Sequence, residues 1–235
     1  MSNSTRDQFN DLLRSEGLNA GIIPVSNIPN EESRLNEVNR LGILNRDLDQ
    51  EAQYNALTQL AAIITKSQIG LINILGSNIQ QCKTNFGFNV LESTLTEEMP
   101  REISICQYSL ASPQEPLIIN DLFLDERTKH FKKLEAYENL RFYAGSPLIS
   151  SRGFSIGTLC VIDDKPKKIE HDQIEGLRLL ADQVVNMLEQ EFNDNSNQNI
   201  DPEDISNVIE TNRITKYFST SSILFADFVG FTKPV

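Results

Sequence analysis

The chain has 235 residues and carries 21 Lys and Arg against 33 Asp and Glu, a formal charge of -12 at pH 7. That balance argues against a nucleic-acid or anionic-membrane surface as the main partner, because both need a basic footprint. Three cysteines without a Cys-x-x-Cys pair, and two histidines, indicate neither a disulfide framework nor a histidine-based metal site.

Residues 1–30 mix Asn, Ser, Gly and Pro with little period and read as a flexible N-terminal arm, without the basic start and apolar stretch of a signal peptide. From Glu31, "ESRLNEVNRLGIL" repeats Leu35, Val38 and Leu41 at three-residue steps, which predicts a helix. "LDQEAQYNALTQLAAIITK" follows as an amphipathic helix through Leu57, Leu60, Ala61 and Ile64, with Asp49 as its cap. The texture changes at Ile69: "IGLINIL", a "GSN" break and "IQQCKTNF" predict a β-hairpin. A loop-rich stretch leads to Arg101, and "ISICQYSLAS" fits strand or helix. "PLIIN" is a short strand, and "DLFLDERTKHFKKLEAYENL" is loop and helix. "RFYAGSPLIS" and "FSIGTLCVID" form a second hairpin around "SRG", the latter apolar on both faces as a central strand should be. A long helix over 170–192 carries Ile174, Leu177, Leu180, Ala181, Val184, Met187 and Leu188, and 193–219 is a linker, polar at its start. No apolar run approaches the roughly 18–20 residues of a membrane span, so a cytoplasmic protein is expected.

Helix, hairpin, mixed middle, hairpin, helix is an α+β plan. Flanking helices shield one face of a sheet, and the irregular middle covers the other, where a small pocket tends to form. "RFYAGSPLISSRGFSIGTLCVIDDKPKKIEHDQIEGLRLLADQV", with "MPREISIC" and "RLNEVNRLGIL" upstream, resembles a GAF domain. The resemblance spans roughly 34–191 and sets a domain at 31–192. It implies an antiparallel sheet with helices on one side, a ligand cavity on the other, small-molecule sensing and dimerisation. The subgroup's Ser-Phe-Cys-x-His pattern reads Ser104, Ile105, Cys106, Gln107, Tyr108, so its histidine is absent. The Asn-Lys…Phe…Asp-Glu signature of cyclic-nucleotide-binding GAF domains is not present either, which leaves the ligand unnamed.

Residues 220–235 bring a second resemblance. "ILFADFVGFTK" is similar to the opening strand of a class III adenylate/guanylate cyclase domain, in which this aspartate, Asp227, binds catalytic metal. The chemistry needs two carboxylates on two divalent cations, Mg or Mn, and the second carboxylate belongs further downstream. The expectation is therefore a truncated cyclase start on a chain that is not itself catalytic and holds no cofactor of its own.

The ligand-binding candidates are Cys106, Tyr108, Asp121, Phe123, Phe131, Arg141 and Tyr143. Arg141 beside Phe142 and Tyr143 offers an aromatic and guanidinium recognition surface, with packing the equal alternative. "RTKHFKK" (127–133) and Lys165, Lys167 and Lys168 read as solvated charge. Cys160 reads as core, and Cys106 as a small packed hydrophobe or a thiol sensor. The 170–192 helix, with a stripe wider than its sheet requires, is the expected homodimer contact. The leading expectation is a regulatory GAF module of a cyclase that senses a small molecule. The competitors are a dimerisation module without ligand, a redox sensor, and an enzyme resembling methionine sulfoxide reductases.

Overall fold

The computed structural model describes residues 3–46, 48, 51–87, 97–134 and 137–198. Asp49, most of the 193–219 linker, and the 220–235 segment with Asp227 lie outside the described residues. Residues 1–190 form one compact unit, and 191–235 fall in a second, of which 191–198 are described as helix.

The element order is α1 (Asn3–Ala20), α2 (Glu31–Leu41), α3 (Ala52–Thr65), β1 (Ile69–Leu75), β2 (Ile79–Phe86), β3 (Glu98–Pro100), β4 (Leu117–Ile119), β5 (Phe142–Ile149), β6 (Ser155–Asp163) and α4 (His171–Gln198). The strands make one six-stranded sheet in the order β3-β2-β1-β6-β5-β4, with each strand antiparallel to its neighbours. The α+β plan is thus observed. β1 and β6 are central and buried along their whole length, which explains their unbroken apolar runs.

Alternation along the strands separates two faces. Ile69, Leu71, Leu75, Tyr143, Cys160 and Ile162 join one apolar cluster with residues of the irregular middle. The opposite face meets helices: a Cβ on Gly70 of β1 would run into the Thr58 carbonyl of α3. Between Ile72 and Asn73 the β1–β2 register slips by one residue, so Lys83 is a bulge. Its Nζ donates to the carbonyls of Leu44 and Arg46 at 3.0 and 2.7 Å and closes the turn after α2.

Several expectations are corrected. The N-terminal arm is helical over Asn3–Ala20. Asn10, Leu13, Arg14, Gly17 and Ala20 turn inward at helical spacing, but the polar Asn10 and Arg14 and the small Gly17 among them hide the period from a hydropathy reading. Gly21, with φ of 96°, ends the helix. Its N–H bonds the Leu18 carbonyl and that of Ile22 bonds Gly17, a left-handed helix stop that glycine permits. The stretch after β4 holds turns and a short 3-10 helix, Phe131–Lys133, among its described residues. Asp121 and Asp125 accept from the N–H groups of Phe123 and Arg127, local bonds that compete with an α-helix. "ISICQYSLAS" is 3-10 helical over Ile105–Ala111. Finally α4 runs to Gln198, beyond the expected boundary at 192.

Lys167 is also corrected, since it is no solvated lysine. Its Nζ donates to the carbonyls of Thr65 and Lys66 at the end of α3 (3.2 and 2.9 Å), to Ser67 Oγ (2.8 Å) and to Asp163 Oδ2 (2.8 Å). It also lies 4.8 Å from the Phe142 ring centre. α3 ends on Lys66 in left-handed geometry, and its last carbonyls need this outside donor. Burial works against ionisation of Asp163, but Lys167 holds its carboxyl below the usual range. Lys167→Met is expected to cost about 1–2 kcal/mol, the scale of charge-assisted hydrogen bonds that are partly exposed. A lowered urea midpoint at unchanged slope checks it.

Candidate functional site

The irregular middle lies over the cluster face of the sheet. Its 3-10 helix starts at Ser104, whose side chain accepts from the Gln107 N–H, and delivers Cys106 inward with 3% exposure. β5 supplies Tyr143, β6 supplies Cys160 and Thr158, and β1 supplies Asn73, all buried. The register makes them neighbours, since Asn73 pairs with Thr158 and Leu71 with Cys160 across β1–β6. Gly145 pairs with Cys160 on β5. A Cβ on Gly145 would lie 2.5 Å from the Tyr143 hydroxyl, so this glycine makes room for the tyrosine ring.

These residues form a polar knot in an apolar face. Asn73 Nδ2 lies 3.4 Å from Cys106 Sγ and 3.4 Å from Cys160 Sγ. The Tyr143 hydroxyl donates to Cys106 Sγ at 3.3 Å. Asn73 Oδ1 is buried without a hydrogen-bond partner. The neighbouring Cys160 thiol lowers Cys106 most, burial acts in opposition, and the Tyr143 and Asn73 bonds add to the lowering, which brings Cys106 down to about 7. Cys160 moves the other way, raised by its bond to Cys106 and by burial. Burial likewise raises Tyr143.

Aromatic side chains roof the knot. Phe131 stands edge-on to Tyr137 at 4.9 Å between ring centres and edge-on to Tyr108 at 6.3 Å. Burial pushes the Tyr108 hydroxyl up to about 12. That hydroxyl donates to the Ile23 carbonyl at 3.2 Å, and the Val25 N–H donates to Gln107 Oε1 at 2.8 Å. The segment after α1 is thereby strapped over the cover. The "RTKHFKK" run serves this strap as well, because Lys133 Nζ donates to the Ala20 carbonyl at 2.6 Å.

Arg141, Asp121 and Phe123 form a separate group at the start of β5. The guanidinium grips Asp121 through two bonds, of 3.0 and 2.7 Å, and stacks 4.6 Å from the Phe123 ring centre. The Arg141 hydrogen bonds hold the Asp121 carboxyl below its ordinary range. The sequence candidates thus divide: Cys106, Tyr143, Phe131 and Tyr108 assemble at the cover, while Asp121, Phe123 and Arg141 satisfy one another. Asn73, Thr158 and Cys160 were not among the sequence candidates for the site. The available signal was a polar residue in the middle of each buried strand, "IGLINIL" and "SIGTLCVID". Among the described residues no group of three or more His, Cys, Asp or Glu could hold a metal ion.

A family model for the GAF domain matches residues 49–188. The chain belongs to the GAF domain family. It is also 29% identical over 137 residues to the cyclic di-GMP phosphodiesterase PA2567 of Pseudomonas aeruginosa. This covers 58% of the chain but only 22% of that relative's length. Among solved structures, a domain assigned to a two-component sensor histidine kinase of Sinorhizobium meliloti superposes with a TM-score of 0.51 at 14% identity, covering 63% of this chain and 97% of that one. The GAF domain region of a protein assigned to the membrane of Geobacter sulfurreducens gives 0.50 at 17% identity, covering 63% and 98%. At these identities the likeness is one of fold.

Proposed function

We propose that this GAF domain is the small-molecule-sensing and dimerising regulatory module of a cytoplasmic adenylate/guanylate cyclase, and is not itself catalytic. The observation that carries the sensing part is the buried, unpaired Asn73 Oδ1 on the covered face. An orphaned acceptor there costs free energy unless a ligand donor meets it. The cyclase part rests on "ILFADFVGFTK" at 223–233, where Asp227 would take one of two Mg or Mn ions in an intact catalytic domain. A relative named for cyclic di-GMP hydrolysis is consistent with a role in nucleotide signalling. The dimer part rests on exposed apolar side chains, Leu60, Ile63 and Ile64 of α3 and Leu179 of α4. Ile64 lies against Gly176, which brings the two helices side by side. No described helix is long and apolar enough to cross a membrane.

Thermal unfolding of the chain with cyclic AMP, cyclic GMP and cyclic di-GMP, with native mass for subunit count, tests this reading. A true ligand at about a hundredfold its Kd adds roughly 2.7 kcal/mol, or roughly 5–10 °C in a domain of this size. A monomer at micromolar concentration defeats the dimer. A dimer that no ligand stabilises supports the second reading, an interaction module without ligand. That reading draws on the fully buried Leu110, Phe131 and Tyr143, which pack the space between cover and sheet.

A further inference from the structure

We propose that Cys106 and Cys160 are a peroxide-reactive dithiol that closes to a disulfide and staples the cover to the central strand β6. The inference is independent of any small-molecule ligand. It begins with one amide nitrogen, Asn73 Nδ2, standing 3.4 Å from both sulfurs. Two thiols sharing a single donor are held side by side, although they come from segments more than fifty residues apart in sequence. Cys82, the remaining cysteine, is partly exposed on β2.

The surroundings favour a thiolate on one sulfur and a thiol on the other. Cys106 accepts from the Tyr143 hydroxyl as well as from Asn73. A thiolate, not a thiol, is the nucleophile toward a peroxide. Cys106 is therefore the attacking sulfur and Cys160, which keeps its proton, the resolving one. Hydrogen peroxide is the oxidant. Cys106 Sγ attacks one peroxide oxygen, the S–O bond forms as the O–O bond breaks, and the departing hydroxide takes up a proton as water. Cys160 then attacks the Cys106 sulfenic sulfur, the S–S bond forms, and the sulfenic oxygen leaves with the Cys160 proton as a second water. Two thiols and one peroxide become one disulfide and two waters.

Access runs through the cover. Cys106 sits on the 3-10 helix Ile105–Ala111. Bonds of that helix type have poorer geometry than α-helical ones, so such a segment opens before the sheet does. Closing the disulfide draws the two sulfurs to about 2.05 Å. That pulls the 105–111 segment onto β6 and removes the Asn73 bonds, so oxidation reshapes the covered face.

The test uses the full chain, exposed to hydrogen peroxide while folded, then denatured, alkylated and mapped by mass spectrometry. The expected product is a Cys106–Cys160 linked peptide that a thiol reductant reverses. Cys160→Ser should stop at a sulfenic acid on Cys106, trapped by a dione probe, and Cys106→Ser should leave Cys160 reduced. The other ionisable groups around the pair are Tyr143 on β5, Tyr137 in the cover and Cys82 on β2. With the two tyrosines still protonated, the sulfenylation rate should rise through pH 7, and Tyr143→Phe should move that midpoint upward. Both cysteines remaining alkylatable after peroxide overturns the proposal. So does oxidation confined to Cys82, first oxidation at Cys160, or a link that forms only in denaturant.

Discussion

Arg34→Ala is expected to lower stability by about 3–5 kcal/mol, enough to leave the domain marginally folded at room temperature. Arg34 is 2% exposed in α2. Its guanidinium makes bonds of 2.6 and 3.0 Å to Glu31 and reaches across to the carbonyls of Leu75 (2.6 Å), Gly76 (3.3 Å) and Ser155 (3.4 Å). One cation thus ties α2 to the end of β1 and the start of β6. Removing it withdraws one donor from each of three carbonyls and a carboxylate. Glu31 also takes Arg101 at 2.5 Å, and Arg101 donates to Gly76, so the clamp extends to the start of the cover. Arg34→Lys keeps the charge but cannot serve the carboxylate and the carbonyls together, so it should recover only part of the loss. Denaturant midpoints of the two variants check the order. Acid supplies an independent check. Burial opposes ionisation of Glu31, but Arg34 and Arg101 outweigh it and lower its pKa. A depressed carboxyl contributes stability that is present above its unfolded value near 4.5 and is lost as pH falls through the folded one. The Arg34 variants should lose less stability on acidification than the native chain.

The central strands were legible because burial on both faces leaves runs such as "IGLINIL" and "SIGTLCVID", which few other structures tolerate, whereas the three-residue β3 fell in a stretch read as loop. Helices α2, α3 and α4 were legible for the same reason in their own period. α1 was not, since a face built from Asn10, Arg14 and Gly17 docks by hydrogen bonding and close approach rather than by apolar area. Asn10 reaches Glu98 at 3.3 Å and Arg14 reaches Glu102 at 3.4 Å. The site was half legible. Cys106 and Tyr143 stand out as chemistry-bearing residues, and the structure puts them in contact. What joins them to Cys160 is a register between β1, β6 and β5, a long-range property that no local pattern contains. Arg141 shows the converse. Its guanidinium read equally as a recognition surface or as packing, and the sequence did not reveal that Asp121, twenty residues earlier, pairs with it.

Gly157→Ala carries the other large expected effect. Gly157 lies inside β6, and a Cβ there would stand 2.1 Å from the Asn73 carbonyl oxygen and 3.1 Å from its carbon. Both are backbone atoms of the neighbouring central strand, so no side chain can rotate away. The clash must be relieved by parting β1 from β6 at the Asn73–Thr158 and Ile74–Gly157 pairs. Overpacking of a core costs about 1–3 kcal/mol, and a rigid backbone obstacle belongs at or above the top of that range. The cost should also appear in chemistry, because Asn73 is the residue that holds both sulfurs. Displacing it loosens the donor to Cys106 and Cys160. Peroxide oxidation of Gly157→Ala should therefore yield less of the Cys106–Cys160 link than the native chain at equal fraction folded. Gly153→Ala is the control: it lies in the β5–β6 turn with open space around it, although its φ of 83° still strains a side chain. It should cost roughly 1–2 kcal/mol through backbone strain alone and leave the thiol chemistry unchanged. Equal loss of the link in both variants would mean that general destabilisation, and not the position of Asn73, governs the reactivity of the pair.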